Sequence, residues 1–234
     1  MCERAILAGV TDSERAVPAW QRPSEGESRL SATAAILGIV VVQVLLPSEL
    51  LPSPGWLLPI LELAVLLVLI IANPSRMDRE EPWIRGLSLL LAGLISIASA
   101  VSALLLLQAI FTGQSDQGAG TLLGSGVLIW TTNVIAFSLW YWEFDRGGPA
   151  ARATGREPVP DFIFPQMQDP ELGGKDWRPE YLDYLYLAFT NAASFAPADV
   201  LPLSRWCKMM MMVQSITSLV IGGMIIARAI NIIR

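Results

Sequence analysis

Seven side chains carry the chemistry this sequence could do: Glu62, Asn133, Thr190, Asn191, Ser194, Asp199 and Gln214. They lie in or beside long apolar stretches, where ionisable and amide groups are costly and therefore candidates for function. Glu62 sits in the run LLPILELAVLLVLIIA, about 10 Å along a helix from Gly55 at 1.5 Å per residue. It could hold a proton or a cation. Asn133, Thr190, Asn191, Ser194 and Gln214 could line a polar path between the last helices, and Asp199 extends the same candidate pathway. The simpler use of these groups is hydrogen bonding between helices, worth about 1 kcal/mol or less each.

Other chemistries are poorly provided for. The chain has no histidine, which removes the commonest metal ligand and the usual proton carrier near neutral pH. Cys2 and Cys207 make no metal-ligand spacing. No nucleophile elbow, metalloprotease motif, phosphate-binding loop or dinucleotide fingerprint is present. Acid–base work would fall to Glu62, Asp183 or Asp199, which are not sequence neighbours. The expectation is no catalytic residue, no cofactor and no metal. Lys and Arg form no clustered face with aromatic residues between them, so nucleic acid is not an expected partner.

The elements that must position these residues follow from composition. The 234 residues are 53% hydrophobic and 16% charged, with a net charge of −5 and a mean hydropathy of +0.50. A soluble domain carries roughly 25% charged residues to wet its surface. The apolar residues form blocks, at 30–46, 56–72, 84–111, 122–142, 181–203 and 209–230. The expected fold is an all-α integral membrane bundle of about six transmembrane segments, its lipid bilayer the main partner. The fifth block is polar, with Asp183, Thr190, Asn191, Ser194, Pro197 and Asp199. A full crossing is preferred for it, and a break near Pro197 or a re-entrant loop is the alternative. The expected organisation is a disordered cytoplasmic tail at 1–29, four transmembrane helices over 30–143, a cytoplasmic Pro/Gly-rich segment at 144–180, and a C-terminal helical hairpin at 181–234. No apolar core of a signal peptide precedes the first block.

With six crossings, 14 of the 16 basic residues fall on one side, and only Arg205 and Lys208 on the other. Positive residues favour the cytoplasm, so both termini are expected there. A loop entering from the cytoplasm would exchange that pair for Arg228 and Arg234. Phe162, Ile163, Phe164 and Trp177 are too apolar for a free linker. They are expected to lie on the membrane surface or plug the cytoplasmic end of the bundle, the other use of 162–177 being to dock a cytoplasmic or membrane partner.

Two resemblances add to this reading. Glu143-Phe144-Asp145-Arg146-Gly147-Gly148-Pro149, Asp161-Phe162-Ile163-Phe164-Pro165-Gln166, Asp183-Tyr184-Leu185-Tyr186 and Phe189-Thr190-Asn191, with Asp199, Gln214-Ser215 and Ala227-Arg228-Ala229-Ile230-Asn231, resemble an uncharacterised family of small bacterial multi-pass membrane proteins. That resemblance implies a bacterial plasma membrane and no particular activity. The stretch YLDYLYLAFTNAASFAPADVLPLSR and the helix after it also resemble the pore module of tetrameric cation channels. Aligned on Asp199 and Pro202, Ser194 to Ala198 stand where the filter would be, without its glycines. Glycine permits the inward-aimed carbonyls of a potassium filter, whereas alanine and proline resist them, so potassium selectivity by that device is not expected. The functional expectation is a channel-like or transport-related protein working through 181–230. It would need to be a homo-oligomer, since one hairpin cannot enclose a path. The alternative is a non-conducting structural or accessory subunit.

Overall fold

The computed structural model describes residues 17–78, 81–112, 119–169, 174, 176–194 and 199–232, with side chains at 119 and 228–232 left aside. Helices dominate: α1 (Leu30–Leu45), α2 (Leu57–Ala72), α3 (Pro82–Thr112), α4 (Ala119–Phe144), α5 (Pro149–Thr154), α6 (Pro165–Gln168), α7 (Tyr181–Ser194) and α8 (Arg205–Ile232). With them, besides short 3-10 turns at Ala19–Gln21, Ser48–Leu50 and Asp145–Gly147, are two pairs of two-residue strands: β1 (Glu27–Ser28) with β2 (Arg76–Met77), and β3 (Phe162–Ile163) with β4 (Leu201–Pro202), both antiparallel.

Among the described residues three helices are long and apolar enough to cross a membrane, corresponding to α3, α4 and α8. The α1 and α2 helices are apolar but have 16 residues each, about 24 Å of rise. Prolines set these limits: Pro47 follows α1, Pro52 and Pro54 precede α2, and Pro74 follows it, each removing a donor and barring helical continuation. Large apolar side chains cover the outside, among them Val44, Ile71, Leu104, Ile216 and Leu219. A water-facing helix would be polar on that face, so this surface is built for hydrocarbon.

The short strands identify which helix ends share a side. β1 pairs with β2, and the Trp142 indole donates to Glu27 at 2.7 Å, so the start of α1, the end of α2 and the end of α4 lie together. We call this the arginine end. It carries Arg22, Arg29, Arg76, Arg85, Arg146, Arg152, Arg156, Arg178, Arg205 and Lys208. At the far end the 46–56 connection folds inward: Leu46 and Leu50 join Ala103, Leu106, Leu122 and Ile221 in a small core. A Cβ on Gly126 would lie 2.6 Å from Cγ1 of Ile225, so glycine is what lets α4 and α8 approach there.

The described parts of the fifth apolar block begin and end at the same end of the bundle. α7 starts at the arginine end, where the Tyr184 hydroxyl donates to Asp145. Its 14 residues advance about 21 Å to bring Phe189 against Trp130, ring centroids 5.9 Å apart. The chain is then back at the arginine end at β4, beside β3, where the Leu203 amide donates to the Asp161 carbonyl at 2.8 Å. The preferred full crossing is not what the described residues show: Tyr181 and Leu203 lie at the same end of the bundle. Block length misled, because α7 takes up only 14 residues of the block. A second correction follows: β1 and the last turns of α8 lie at opposite ends of the molecule, where six crossings would put them together. Arg205, Trp206 and Lys208 belong to the arginine end.

The N-terminal expectation also changes. Residues 1–16 lie outside the described residues, but 17–29 are docked rather than a free tail. Arg178 donates to the Ala19 carbonyl at 3.1 Å, and the Ser24 amide donates to the Ala153 carbonyl at 2.8 Å.

Candidate functional site

The α7 helix buries Tyr181, Tyr184, Leu187, Ala188, Asn191 and Ala192, one face at three- and four-residue spacing, against α4 and α8. Gln214 of α8 is the hub of what this face meets. Its Oε1 accepts from the Tyr141 hydroxyl at 2.6 Å and from the Asn191 amide at 2.7 Å. Its Nε2 donates to the Ala188 carbonyl at 2.8 Å. Asn191 also donates to the Met211 carbonyl at 3.1 Å and accepts from Ser215 at 3.2 Å. One turn further along α8, Ser218 accepts from Asn133 at 3.1 Å. Gln214 and Ser218 are essentially inaccessible, and Asn133 and Asn191 are buried.

Of the seven residues singled out by sequence, Asn133, Asn191 and Gln214 are thus brought together along the α4–α7–α8 seam. Thr190 instead bonds back to the Tyr186 and Leu187 carbonyls of its own helix. Ser194 and Asp199 are exposed on either side of 195–198, which lie outside the described residues, as does the proposed break at Pro197. Glu62 stands apart from the seam. It is fully buried between α2 and α1, and its Oε1 accepts from the Gln43 amide at 3.0 Å. Its Oε2 and the Gln43 Oε1 have no hydrogen-bond partner among the described residues.

Sequence reasoning missed a second polar centre, at the arginine end. Asp145 is fully buried. Its carboxylate accepts from the Asp161 amide at 2.8 Å and from the Tyr184 hydroxyl. Asp161 reciprocates, accepting from the Arg146 amide at 3.1 Å and from the Trp206 indole at 2.8 Å. This exchange fastens the end of α4, β3 and the start of α8 to one another. It requires a sharp turn after α4: Arg146, Gly147 and Gly148 all have positive φ. At Gly148 a Cβ would also come within 3.0 Å of the Glu143 carbonyl, leaving glycine as the residue that fits. Pro149 then opens α5 at its first position.

Arg152 of α5 closes the cluster. It donates to the Trp142 and Asp145 carbonyls at 2.7 and 2.9 Å, lies 3.5 Å from Glu27, and stacks over the Tyr184 ring, 5.0 Å from its centroid. Burial would lower the Arg152 pKa, but the acidic groups around it, Tyr184, Glu27, Asp145 and Glu143, outweigh burial and hold it up. Burial lifts the Glu27 carboxyl above its ordinary range, against the pull of Arg152 and of the Trp142 and Tyr181 hydrogen bonds. The same cause lifts Asp145, opposed by Arg152 and the Tyr184 hydroxyl. Phe162, beside this centre, is buried among Tyr141, Tyr184 and Trp206, and Phe164 packs on Trp177. These aromatic rings plug the end of the bundle. Asp183 accepts from the Glu180 amide at 2.8 Å and caps α7.

No family model, curated protein or solved structure matches this chain. The arrangement itself therefore carries the functional argument.

Proposed function

We propose that the chain is a channel-like or transport-related membrane protein whose working part is the re-entrant segment between α4 and α8. The observation that carries this reading is the order of elements: a long helix, a short helix that enters and stops, chain that returns to the same end, and a second long helix. A pore module is built in that order.

With α1 to α4 and α8 crossing and α7 re-entering, the chain passes the membrane five times. The arginine end faces the cytoplasm by the distribution of basic residues, and the C-terminus lies outside. The membrane is the plasma membrane of a bacterium. A conducting form is a homo-oligomer in which the exposed face of α8, with Met209, Met212, Ile216 and Leu219, meets other copies.

The test is ion flux into vesicles containing purified protein, wild type against Asp199→Ala, whose side chain is exposed and outside both polar centres. Flux above empty vesicles, altered by the substitution, supports the reading. Folded, oligomeric protein that passes nothing removes it. A cysteine at Ser204 should label from the cytoplasmic side only, and external labelling would reverse the assigned orientation.

One observation favours the second reading, a non-conducting accessory subunit. The Asn191 and Gln214 side chains satisfy each other, Tyr141 and nearby carbonyls, so the seam serves as a fastening without any solute. A partner that copurifies with flux-inactive protein would support it.

A further inference from the structure

Away from the α4–α7–α8 seam, a cleft opens at the arginine end that neither reading uses. A cavity of about 230 Å³ lies among the starts of α1 and α3, the end of α2 and the first turn of α5, with Arg29, Arg85, Arg156, Glu81 and Glu143 in its wall. It adjoins a narrow crevice of about 30 Å³ running inward along apolar residues, including Ile36, Leu66, Leu91 and Leu139. Arg29, Met77, Ser88 and Glu143 line both.

Arg29 stands at this junction. It is 8% exposed, and its Nε has no hydrogen-bond partner among the described residues. The carboxylate that acts on its charge is Glu143, which also interacts with Arg152 from outside the cavity, with Arg85, and with the Ser88 hydroxyl. Three guanidinium groups thus converge on the cavity, and Glu143, one of the carboxylates in its wall, is already shared among several cations. A buried guanidinium nitrogen left unbonded is a costly feature, and phosphate oxygens match the planar fork of arginine. The exposed Leu30 and Trp83 flank this end of the bundle, as apolar and aromatic residues do where hydrocarbon gives way to headgroups.

We propose that this cleft binds an anionic phospholipid, its phosphate against Arg29, Arg85 and Arg156 and the first carbons of an acyl chain in the crevice. Anionic lipids of the cytoplasmic leaflet would supply it, on the face where positive residues gather. The inference needs the membrane setting but not conduction, so its test reads binding and leaves flux aside.

Thermal unfolding of the purified full chain in neutral detergent would be followed with added phosphatidylglycerol, phosphatidylcholine or inorganic phosphate. Phosphatidylglycerol should raise Tm by roughly 5 °C, the size expected for ligand well above its Kd on a chain of this length. Phosphatidylcholine and inorganic phosphate should leave Tm nearly unchanged. Arg85 and Arg156 are exposed, so the Arg85→Gln/Arg156→Gln double variant should fold with near wild-type Tm in detergent alone and lose at least half of the lipid shift. An equal rise with phosphatidylcholine overturns the anionic headgroup. An equal rise with inorganic phosphate overturns the lipid and leaves a soluble anion. An undiminished shift in the double variant overturns the site.

Discussion

The two buried polar centres share helices α4, α7 and α8 but are made of different chemistry. At the arginine end the molecule buries formal charge, with Glu27, Asp145, Arg146 and Arg152 all at or below 10% side-chain or residue exposure. From Asp145 to Asn133 is twelve residues of chain, about 18 Å if all helical. There, and at Gln214 between, the chain buries only amides and hydroxyls. The difference follows the solvent outside. Near the headgroups a charge can be compensated by opposite charge, ordered backbone and nearby water. In hydrocarbon only neutral groups are cheap enough to bury, and every donor must find an acceptor within the bundle. Glu62 is the exception at depth, and it is held by an amide, Gln43.

The comparison breaks most severely at Arg152. Arg152→Met keeps much of the side-chain volume and removes the cation that faces Glu27, Asp145 and the Trp142 carbonyl. Buried carboxylates left without their partner cost about 3–5 kcal/mol. The expected outcome is loss of folded protein in detergent, or a Tm lower by about 10 °C or more, read by thermal unfolding. A near wild-type Tm would mean that the cluster is wet and that its charges are solvated.

A smaller effect is expected in the seam. Gln214→Leu removes the acceptor shared by Tyr141 and Asn191 and the donor to the Ala188 carbonyl. Interhelical hydrogen bonds in membranes average below 1 kcal/mol, but unsatisfied partners stay behind, so a loss of about 1–2 kcal/mol is expected. Combining Gln214→Leu with Asn191→Leu should cost less than the sum of the two single changes, because the pair fails together. Additive losses would show that the two amides act independently.

How much of this could be read in advance depended on which residues mark their surroundings locally. Apolar blocks bounded by Pro47, Pro54 and Pro74 located α1 and α2, and the membrane-length helices were visible as uninterrupted apolar runs. The partnership of Asn191 with Gln214 was suggested by amides standing in two apolar blocks. The return of the chain at β4 was not legible, because it depends on Leu203 and Trp206 meeting Asp161, some forty residues earlier. The ionic cluster was hidden for the same reason. Asp145, Arg146 and Arg152 look like loop charges, since nothing local shows that Glu27, Tyr184 and Asp161 will enclose them. The Arg-Gly-Gly-Pro sequence was the available signal, a turn too sharp for a free linker.

The smallest effect sharpens the same comparison through pH. Glu27 and Asp145 hold their protons more tightly in the folded chain than at their ordinary values of 4.5 and 3.8, chiefly because burial disfavours the charged form. Folding therefore takes up protons as pH passes upward from about those values. Their contribution to stability is fully present in mild acid and declines as pH rises toward the raised folded-state values. The expected result is a Tm in detergent that falls by roughly 3 °C between pH 4.5 and 7, and a flatter profile in Glu27→Gln, which keeps a neutral group against Trp142 and Tyr181. The seam has no such dependence, since its members Asn133, Asn191, Gln214 and Ser218 do not titrate in that range. A profile unchanged in Glu27→Gln would move the sensitivity to some other carboxyl, and a Tm that rises with pH would show that Arg152 holds both carboxylates ionised throughout.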